Sequence, residues 1–344
     1  MKNLTNCVNC GGAIVYSPKK NAVVCEHCDS IYPIIANNKN AKLLRKYSVD
    51  FVPEQDQTKQ NCFVCNTCNS THIIQDGKVS TRCPSCGDTS LAKCNFNASI
   101  PDGIIPFAME KKEAVQIFEK WLKKRKFAPN DLITLAKNGK ISKVYVPVYN
   151  INGVSICHYN GTVKKVHTDD STNTIYSTVH TIKNVETDNI ENECLSANKV
   201  IDNRLIEKII KVNPSQIVPF SNQYLLDYYA VNTDVTIHEK LNNYIEDLKD
   251  FTENDLRIRL KQKYDEIVNL NCDTTLKNVS FNYCYVPVFM NHFIYKNKDY
   301  HCYISGINGK VAGKTPKSTG KILALLGFIF AAIGAGIWAL LTFL

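Results

Sequence analysis

The chain has 344 residues, a formal charge of +9, 44% hydrophobic side chains and 21% charged ones. That supplies two or three domains with an ample core and excludes a wholly disordered or collagen-like chain. Fifteen cysteines are too sparse for a disulfide-stapled secreted module. The opening MKNLTNCVNC lacks the apolar stretch of a secretory signal, so the thiols are expected in a reducing compartment, where patterned cysteine more often binds metal.

The first element is a cysteine quartet, Cys7, Cys10, Cys25 and Cys28, which recurs at Cys65, Cys68, Cys83 and Cys86 with every position displaced by 58. Both copies read C-x2-C, fourteen residues, C-x2-C. A tight C-x2-C turn presents two thiolates to one ion, and a second pair after a hairpin closes a tetrahedron, the arrangement Zn²⁺ prefers. Gly11 and Gly12, and Gly87, suit the turns. Two Zn²⁺ per chain are expected; iron in a rubredoxin-like site uses the same ligands and stays open. His27, between Cys25 and Cys28, is a substitute ligand in principle but reads as exposed, because four thiolates already fill the shell. Cys62 competes with Cys65 by spacing, and the repeat favours Cys65. Most of the other cysteines, Cys62, Cys94, Cys157, Cys194, Cys272, Cys284 and Cys302, read as packing residues rather than nucleophiles.

The fold class expected is multidomain: two N-terminal zinc ribbons with four cysteine ligands each, a cytoplasmic α+β region with an internal duplication, and one C-terminal transmembrane helix. The divisions are ribbon 1 (1–35), a linker with a short helix or tether (36–61), ribbon 2 (62–95), the α+β domain (100–305), a basic juxtamembrane segment (306–321) and the membrane helix (322–344).

Within the α+β region, IIPF at 104–107 precedes an apolar stripe of Ala114, Val115, Ile117, Phe118, Trp121 and Leu122, which predicts a helix of about four turns ending before Pro129. KVYVPVY at 143–149 then has strand composition. A second pass runs from IVPF at 217–220 through a helical stretch at 235–270 to YVPV at 285–288, so repeats are expected at about 100–168 and 214–305. Between them, 154–158, 162–167 and 175–182 read as successive antiparallel strands, and 299–304 as a strand entering a turn at 306–309. Pro147 and Pro287 lack an amide donor, which places their strands at sheet edges or starts them there.

No catalytic apparatus is visible, and the chain is read as a non-enzyme. Gly309 to Thr315 has three residues between its glycines where a phosphate loop needs four. Each ribbon balances its Lys and Arg against its acids, and a divalent cation on four thiolates makes it net negative, which argues against a nucleic-acid reader. The run Lys123-Lys124-Arg125-Lys126 reads first as the solvated last turn of a helix and second as a lipid or nucleic-acid patch.

Residues 322–344 carry no charge, enough helix to cross a bilayer. Lys310, Lys314, Lys317 and Lys321 precede them, with no acid from 306 to 321. The positive-inside rule therefore leaves the bulk of the chain cytoplasmic, as a single-pass tail-anchored protein of the bacterial inner membrane. Gly327, Ala331 and Ala335 form a small-residue stripe on which another helix can pack.

The ordered set of paired C-x2-C ribbons, IIPF, FEKWLKKR, YVPV twice and INGKVAGKTP before the anchor resembles a family of bacterial membrane-anchored double zinc-ribbon proteins. They are labelled as transcription-factor-IIB-type zinc ribbons or as relatives of the primosomal protein N′. The resemblance implies partnership with phage-shock-protein-A-type or flotillin-like proteins in membrane stress. The expected function is a non-enzymatic membrane scaffold or receptor for a cytoplasmic protein partner. The alternatives are a membrane-tethered nucleic-acid regulator and an unrecognised enzyme in the α+β region.

Overall fold

The structure is a computed structural model that describes residues 6–35, 44–47, 57–73, 82–132, 134, 141–169, 172–199, 201 and 203–343. In chain order, β1 (Ile14–Ser17), β2 (Ala22–Cys25) and β3 (Ile31–Tyr32) form a small sheet of their own. Then come β4 (Arg45–Lys46), β5 (Gln57–Cys65), β6 (Thr71–Ile73), β7 (Leu91–Ser99) and β8 (Gly103–Ile104). Helix α1 (Lys111–Lys123) leads to a long hairpin of β9 (Ile141–Asp169) and β10 (Thr174–Ser196). Helix α2 (Asn203–Ile209), β11 (Val218–Pro219), β12 (Tyr229–Val231) and α3 (Ile237–Lys261) follow, and then β13 (Glu266–Tyr295), β14 (Lys298–Ser305), β15 (Val311–Gly313) and α4 (Thr319–Phe343). The architecture is thus two N-terminal cysteine clusters, a sheet-rich α+β body and one apolar C-terminal helix.

The body is organised by the two YVPV segments, which pair with each other. Tyr145 lies opposite Pro287, Val146 opposite Val286 and Pro147 opposite Tyr285. Side chains alternate across a strand, so Tyr145, Tyr149, Tyr283, Tyr285 and Phe289 form one buried aromatic layer, covered by Phe118 and Leu122 of α1. Val144, Val146, Val148, Val286 and Val288 form the opposite layer, covered by Ile206 and Ile209 of α2. A sheet buried on both faces explains why these strands read as continuous apolar runs.

The prolines are not at edges, contrary to expectation: β9 and β13 are central strands. The outer neighbour of β9 changes from β12 at Tyr145 to β10 at Val148, and that of β13 from β8 at Tyr285 to β14 at Val288. Pro147 and Pro287 sit at those changeovers. Each carbonyl accepts a bond from the chain beyond the neighbouring strand, from Ala197 N and Gly306 N, both at 2.9 Å, and no donor is needed at that point. β8 beside β13 and β12 beside β9 are equivalent parallel pairings. The IVPF strand β11 instead pairs antiparallel with β8, so β12, not IVPF, is the structural counterpart of the IIPF strand.

Segments expected as separate strands at 154–158 and 162–167 are one continuous strand. No turn separates them, and Gly161 between them is a point of close approach to β13: a Cβ there would lie 2.5 Å from Asn269 O. β10, β9 and β13 continue beyond the body as a three-stranded blade about 50 Å long. The stretch read as helical at 235–270 divides, with Ile237–Lys261 helical and 266–270 already in β13. Thr236 caps α3, its hydroxyl accepting from Glu239 N at 3.2 Å. The far end of α3 lies on the blade, where Leu256 packs with Cys157 and Leu270 and Arg259 makes two bonds to Glu186, at 2.9 and 2.6 Å.

Most of the linker, 36–43 and 48–56, lies outside the described residues. Its described parts belong to the sheet: β4 pairs with β13, Arg45 is ion-paired with Asp102, and 57–61 open β5. In the segment read as juxtamembrane, the turn at 306–309 packs on α1, with Gly309 at φ +70° and a Cβ there 2.7 Å from Ile117. β15 then joins the sheet beside β14. Helix α4 starts at Thr319, earlier than expected, and is long and apolar enough to cross a membrane. Phe328, Phe330 and Trp338 are about 70% exposed, so no described part of the body takes up its apolar surface.

Candidate metal centres

Each of the four C-x2-C turns has one and the same backbone geometry. The N–H four residues after the first cysteine returns to that cysteine's carbonyl: Gly11 to Cys7 at 2.8 Å, Asp29 to Cys25 at 3.1 Å, Asn69 to Cys65 at 2.8 Å and Gly87 to Cys83 at 2.8 Å. The cysteine N–H in turn donates to the carbonyl five residues on, at Gly12, Ser30, Ser70 and Asp88. The pivot residue has positive φ in all four turns, +71°, +57°, +56° and +77°. Glycine suits that conformation, and Asp and Asn tolerate it better than other side chains. Asp29 and Asn69 are therefore as diagnostic of the turns as Gly11 and Gly87.

The eight expected cysteines come together as two groups, and within each group all four Sγ atoms lie within 4.8 Å of one another. Cys7–Cys28 and Cys10–Cys25 are both 3.5 Å apart, Cys65–Cys86 3.5 Å and Cys68–Cys83 3.7 Å. A tetrahedron with Zn–S bonds of about 2.3 Å has edges of about 3.8 Å, so both groups have the size and donor chemistry to hold a metal ion. At Gly12 an added Cβ would stand 3.1 Å from His27 Cβ, 3.3 Å from Cys10 Sγ and 3.5 Å from Cys25 Sγ. The backbone thus closes directly onto the sulfurs. His27 is exposed and outside the quartet. Cys62 does not compete with Cys65: it faces Cys94 across β5 and β7, to which it is joined as a disulfide.

The two ribbons are related by permutation rather than by the linear repeat. In ribbon 1 the strand order is β1-β2-β3, with Ile14 opposite Cys25 and Val23 opposite Tyr32. In ribbon 2 the same pattern is β7-β5-β6, with Leu91 opposite Cys65 and Phe63 opposite His72. The strand that comes first in ribbon 1 comes last in ribbon 2. Cys25 therefore corresponds to Cys65 and Cys7 to Cys83, and the equal 58-residue displacement pairs non-equivalent turns. The signal is in the residues after the turns: Asp29-Ser30 follows Cys28 and Asn69-Ser70 follows Cys68, whereas Gly11 follows Cys10 and Gly87 follows Cys86.

This correspondence exposes supporting groups that spacing did not suggest. Ser30 Oγ lies 3.0 Å from Cys28 Sγ and Ser70 Oγ 3.0 Å from Cys68 Sγ. Tyr32 and His72 occupy one position: the Tyr32 hydroxyl is 3.1 Å from Cys7 Sγ, and His72 Nε2 is 3.7 Å from Cys83 Sγ. The Tyr32 contact holds the Cys7 thiol well down, at about 5. The Cys68 contact, with His72 behind it, holds Cys83 far below the usual thiol range, while Cys68 is pushed up by that same contact. A proton left between two sulfurs in this way is what a bound cation displaces. His72 is fully buried, with Ser70 and Ser85 hydroxyls 2.8 and 3.1 Å from Nε2 and no partner for Nδ1 among the described residues. Nε2 is thus the ring nitrogen that faces the cluster.

The ribbons attach to the body differently. Ribbon 1 docks through Tyr16, buried against Tyr224 and Tyr228, with its N–H on Leu226 O at 3.2 Å. Ribbon 2 is part of the main sheet, since β6 pairs with β12. At the second turn of ribbon 2, Gly87 is so close to His292 of β13 that a Cβ would lie 3.0 Å from its Nδ1.

Among curated proteins, the chain is similar to the uncharacterized protein YdjG of Bacillus subtilis (strain 168), with 23% identity over 336 residues, 92% of this chain and 91% of the relative. No family model matches the chain. No solved structure matches it significantly.

Proposed function

We propose that the protein is a membrane-anchored zinc-ribbon scaffold that gathers a cytoplasmic protein partner at the bacterial inner membrane, without catalysing a reaction. The observation that carries this reading is α4, apolar over its length and exposed on a body that leaves it uncovered, joined to two rigid cysteine centres. Four thiols at tetrahedral spacing favour Zn²⁺ over oxygen-seeking cations. Inserted, α4 makes attachment effectively permanent, so the ribbons and blade are left to supply the recognition surface. The paired YVPV strands with their equivalent flanking strands support an origin by internal duplication. The match to one relative along nearly the whole of both chains supports ribbons, body and helix acting as a unit. The resemblance to double zinc-ribbon membrane proteins points to a phage-shock-protein-A-type partner and to envelope stress as the setting.

The test is co-isolation of such a partner with the full chain from detergent-solubilised membranes. Partner retained by the intact chain and lost from a Cys7→Ser/Cys25→Ser variant still in the membrane supports the reading. Submicromolar binding of DNA or RNA with a steep salt dependence, and no protein partner, replaces it with a tethered nucleic-acid regulator.

A further inference from the structure

The run Lys123-Lys124-Arg125-Lys126 has no role in the metal centres, and its place in the fold is informative. It begins at the last residue of α1 and runs past its end, and all four side chains are exposed. No ion pair among the described residues uses any of them. The next two residues hold the start of α4: Ser318 N–H donates to Phe127 O at 2.8 Å, and Lys321 Nζ donates to Ala128 O at 2.7 Å. Buried Leu122, Ala128 and Leu132 seat the loop in the body beside the start of the helix. Lys314 and Lys317 approach the same point from the other side along the chain, and both are exposed. Phe127 is 40% exposed, and the Arg125 guanidinium lies over the Trp121 ring at 4.3 Å. Cations beside half-exposed aromatic rings are the composition found at membrane interfaces.

We propose that this loop, together with Lys314 and Lys317, forms a collar that binds the anionic headgroups of phospholipids in the leaflet that α4 enters. The inference rests on the reading that α4 spans the membrane. Given that, two hydrogen bonds between the loop and the first residues of the helix fix the loop at headgroup depth. Six cations with no carboxylate paired to them among the described residues then face a layer whose phosphates are their natural counter-ions. Each such residue near an anionic surface favours it by about fivefold. The collar sets how the body stands on the membrane, and so the direction in which the blade points.

The experiment uses full-length protein in lipid nanodiscs. The chain has two tryptophans, Trp121 at the collar and Trp338 in α4, so Trp338→Phe leaves Trp121 as the only reporter. Its fluorescence is measured with phosphatidylglycerol or phosphatidylcholine carrying a nitroxide near the headgroup, at equal mole fraction. The expected result is quenching about threefold or more stronger with the anionic lipid, abolished when Lys123, Lys124, Arg125 and Lys126 are all changed to Gln and unchanged by Lys19→Gln/Lys20→Gln on ribbon 1. Metal content verifies that each variant is folded. Equal quenching by the two lipids, or a preference that survives the four substitutions, overturns the collar. So does loss of DNA-duplex binding in the fourfold variant with lipid preference intact, which assigns the loop to nucleic acid. In parallel, Trp121→Phe reports on Trp338. Quenching of Trp338 by deep acyl-chain nitroxides without a headgroup preference at Trp121 refutes the collar alone, and an unquenched Trp338 refutes the span and the collar with it.

Discussion

The two ribbons share a ligand geometry and differ in almost everything around it. Ribbon 1 has a private three-stranded sheet, exposed Cys10 and Cys28, and one aromatic foothold at Tyr16. Ribbon 2 has its strand order permuted. In it β5 runs on as a long antiparallel pair with β7, and β6 lies beside β12 in the main sheet. The same four-sulfur grouping therefore sits in a module with its own sheet in one case and in a section of the main sheet in the other. Topology, not ligand set, is therefore expected to decide how far disruption of a cluster spreads.

The largest difference is expected when each cluster is removed. A structural zinc site contributes on the order of 10 kcal/mol to folding of the unit it organises. Cys65→Ser/Cys83→Ser should cost ribbon 2 its fold and lower the hydrogen-exchange protection of β12 and the adjoining end of β9. Cys7→Ser/Cys25→Ser should unfold 6–35 and leave protection of β9 and β13 intact. Equal spread of exchange from the two variants would mean that the two ribbons are coupled to the body alike.

Next in size is the foothold. Tyr16 is 2% exposed, and truncating a large buried aromatic costs about 3–5 kcal/mol. Tyr16→Ala should therefore release ribbon 1, seen as raised exchange at 224–228, while metal content stays at two equivalents. Loss of metal from ribbon 1 in this variant would show that docking and metal binding are one event.

The supporting groups should matter by site. Removal of a group that orients a ligand typically costs 10–100-fold in metal affinity. His72→Ala should weaken only the ribbon 2 site and Tyr32→Phe only the ribbon 1 site, measured by competition with a chelator. The larger loss is expected for His72, which is buried, while Tyr32 is half-exposed. The smallest effect belongs to the turn pivots: Asn69→Gly should change stability by less than about 0.5 kcal/mol, and Asn69→Val should cost roughly 1–2 kcal/mol at its φ of +56°. Calorimetry of the two variants distinguishes them.

Much of this was legible in the sequence, because a cysteine cluster is encoded locally. The grouping of the eight cysteines into two quartets followed from C-x2-C spacing alone, α1 from its stripe of Ala114, Phe118 and Leu122, and α4 from its uncharged length. What was hidden depends on partners far away in the chain. Pro147 and Pro287 looked like edge residues because the sequence does not reveal that a neighbouring strand is exchanged beside each of them. The segments 154–158 and 162–167 looked like separate strands because the partner that holds them in line, β13 with Asn269 against Gly161, lies more than 100 residues later. The permutation of ribbon 2 was masked by an equal spacing of 58, although Asp29-Ser30 and Asn69-Ser70 carried its signature. His72 and Tyr32 were unmarked because their equivalence exists only in strand register.

Elemental analysis of the full-length protein purified without added metal, in three forms, bears most directly on the paired centres. The account predicts two equivalents of zinc in the unaltered chain and one in each of Cys7→Ser/Cys25→Ser and Cys65→Ser/Cys83→Ser. One equivalent in the unaltered chain, or two retained in either variant, would contradict it.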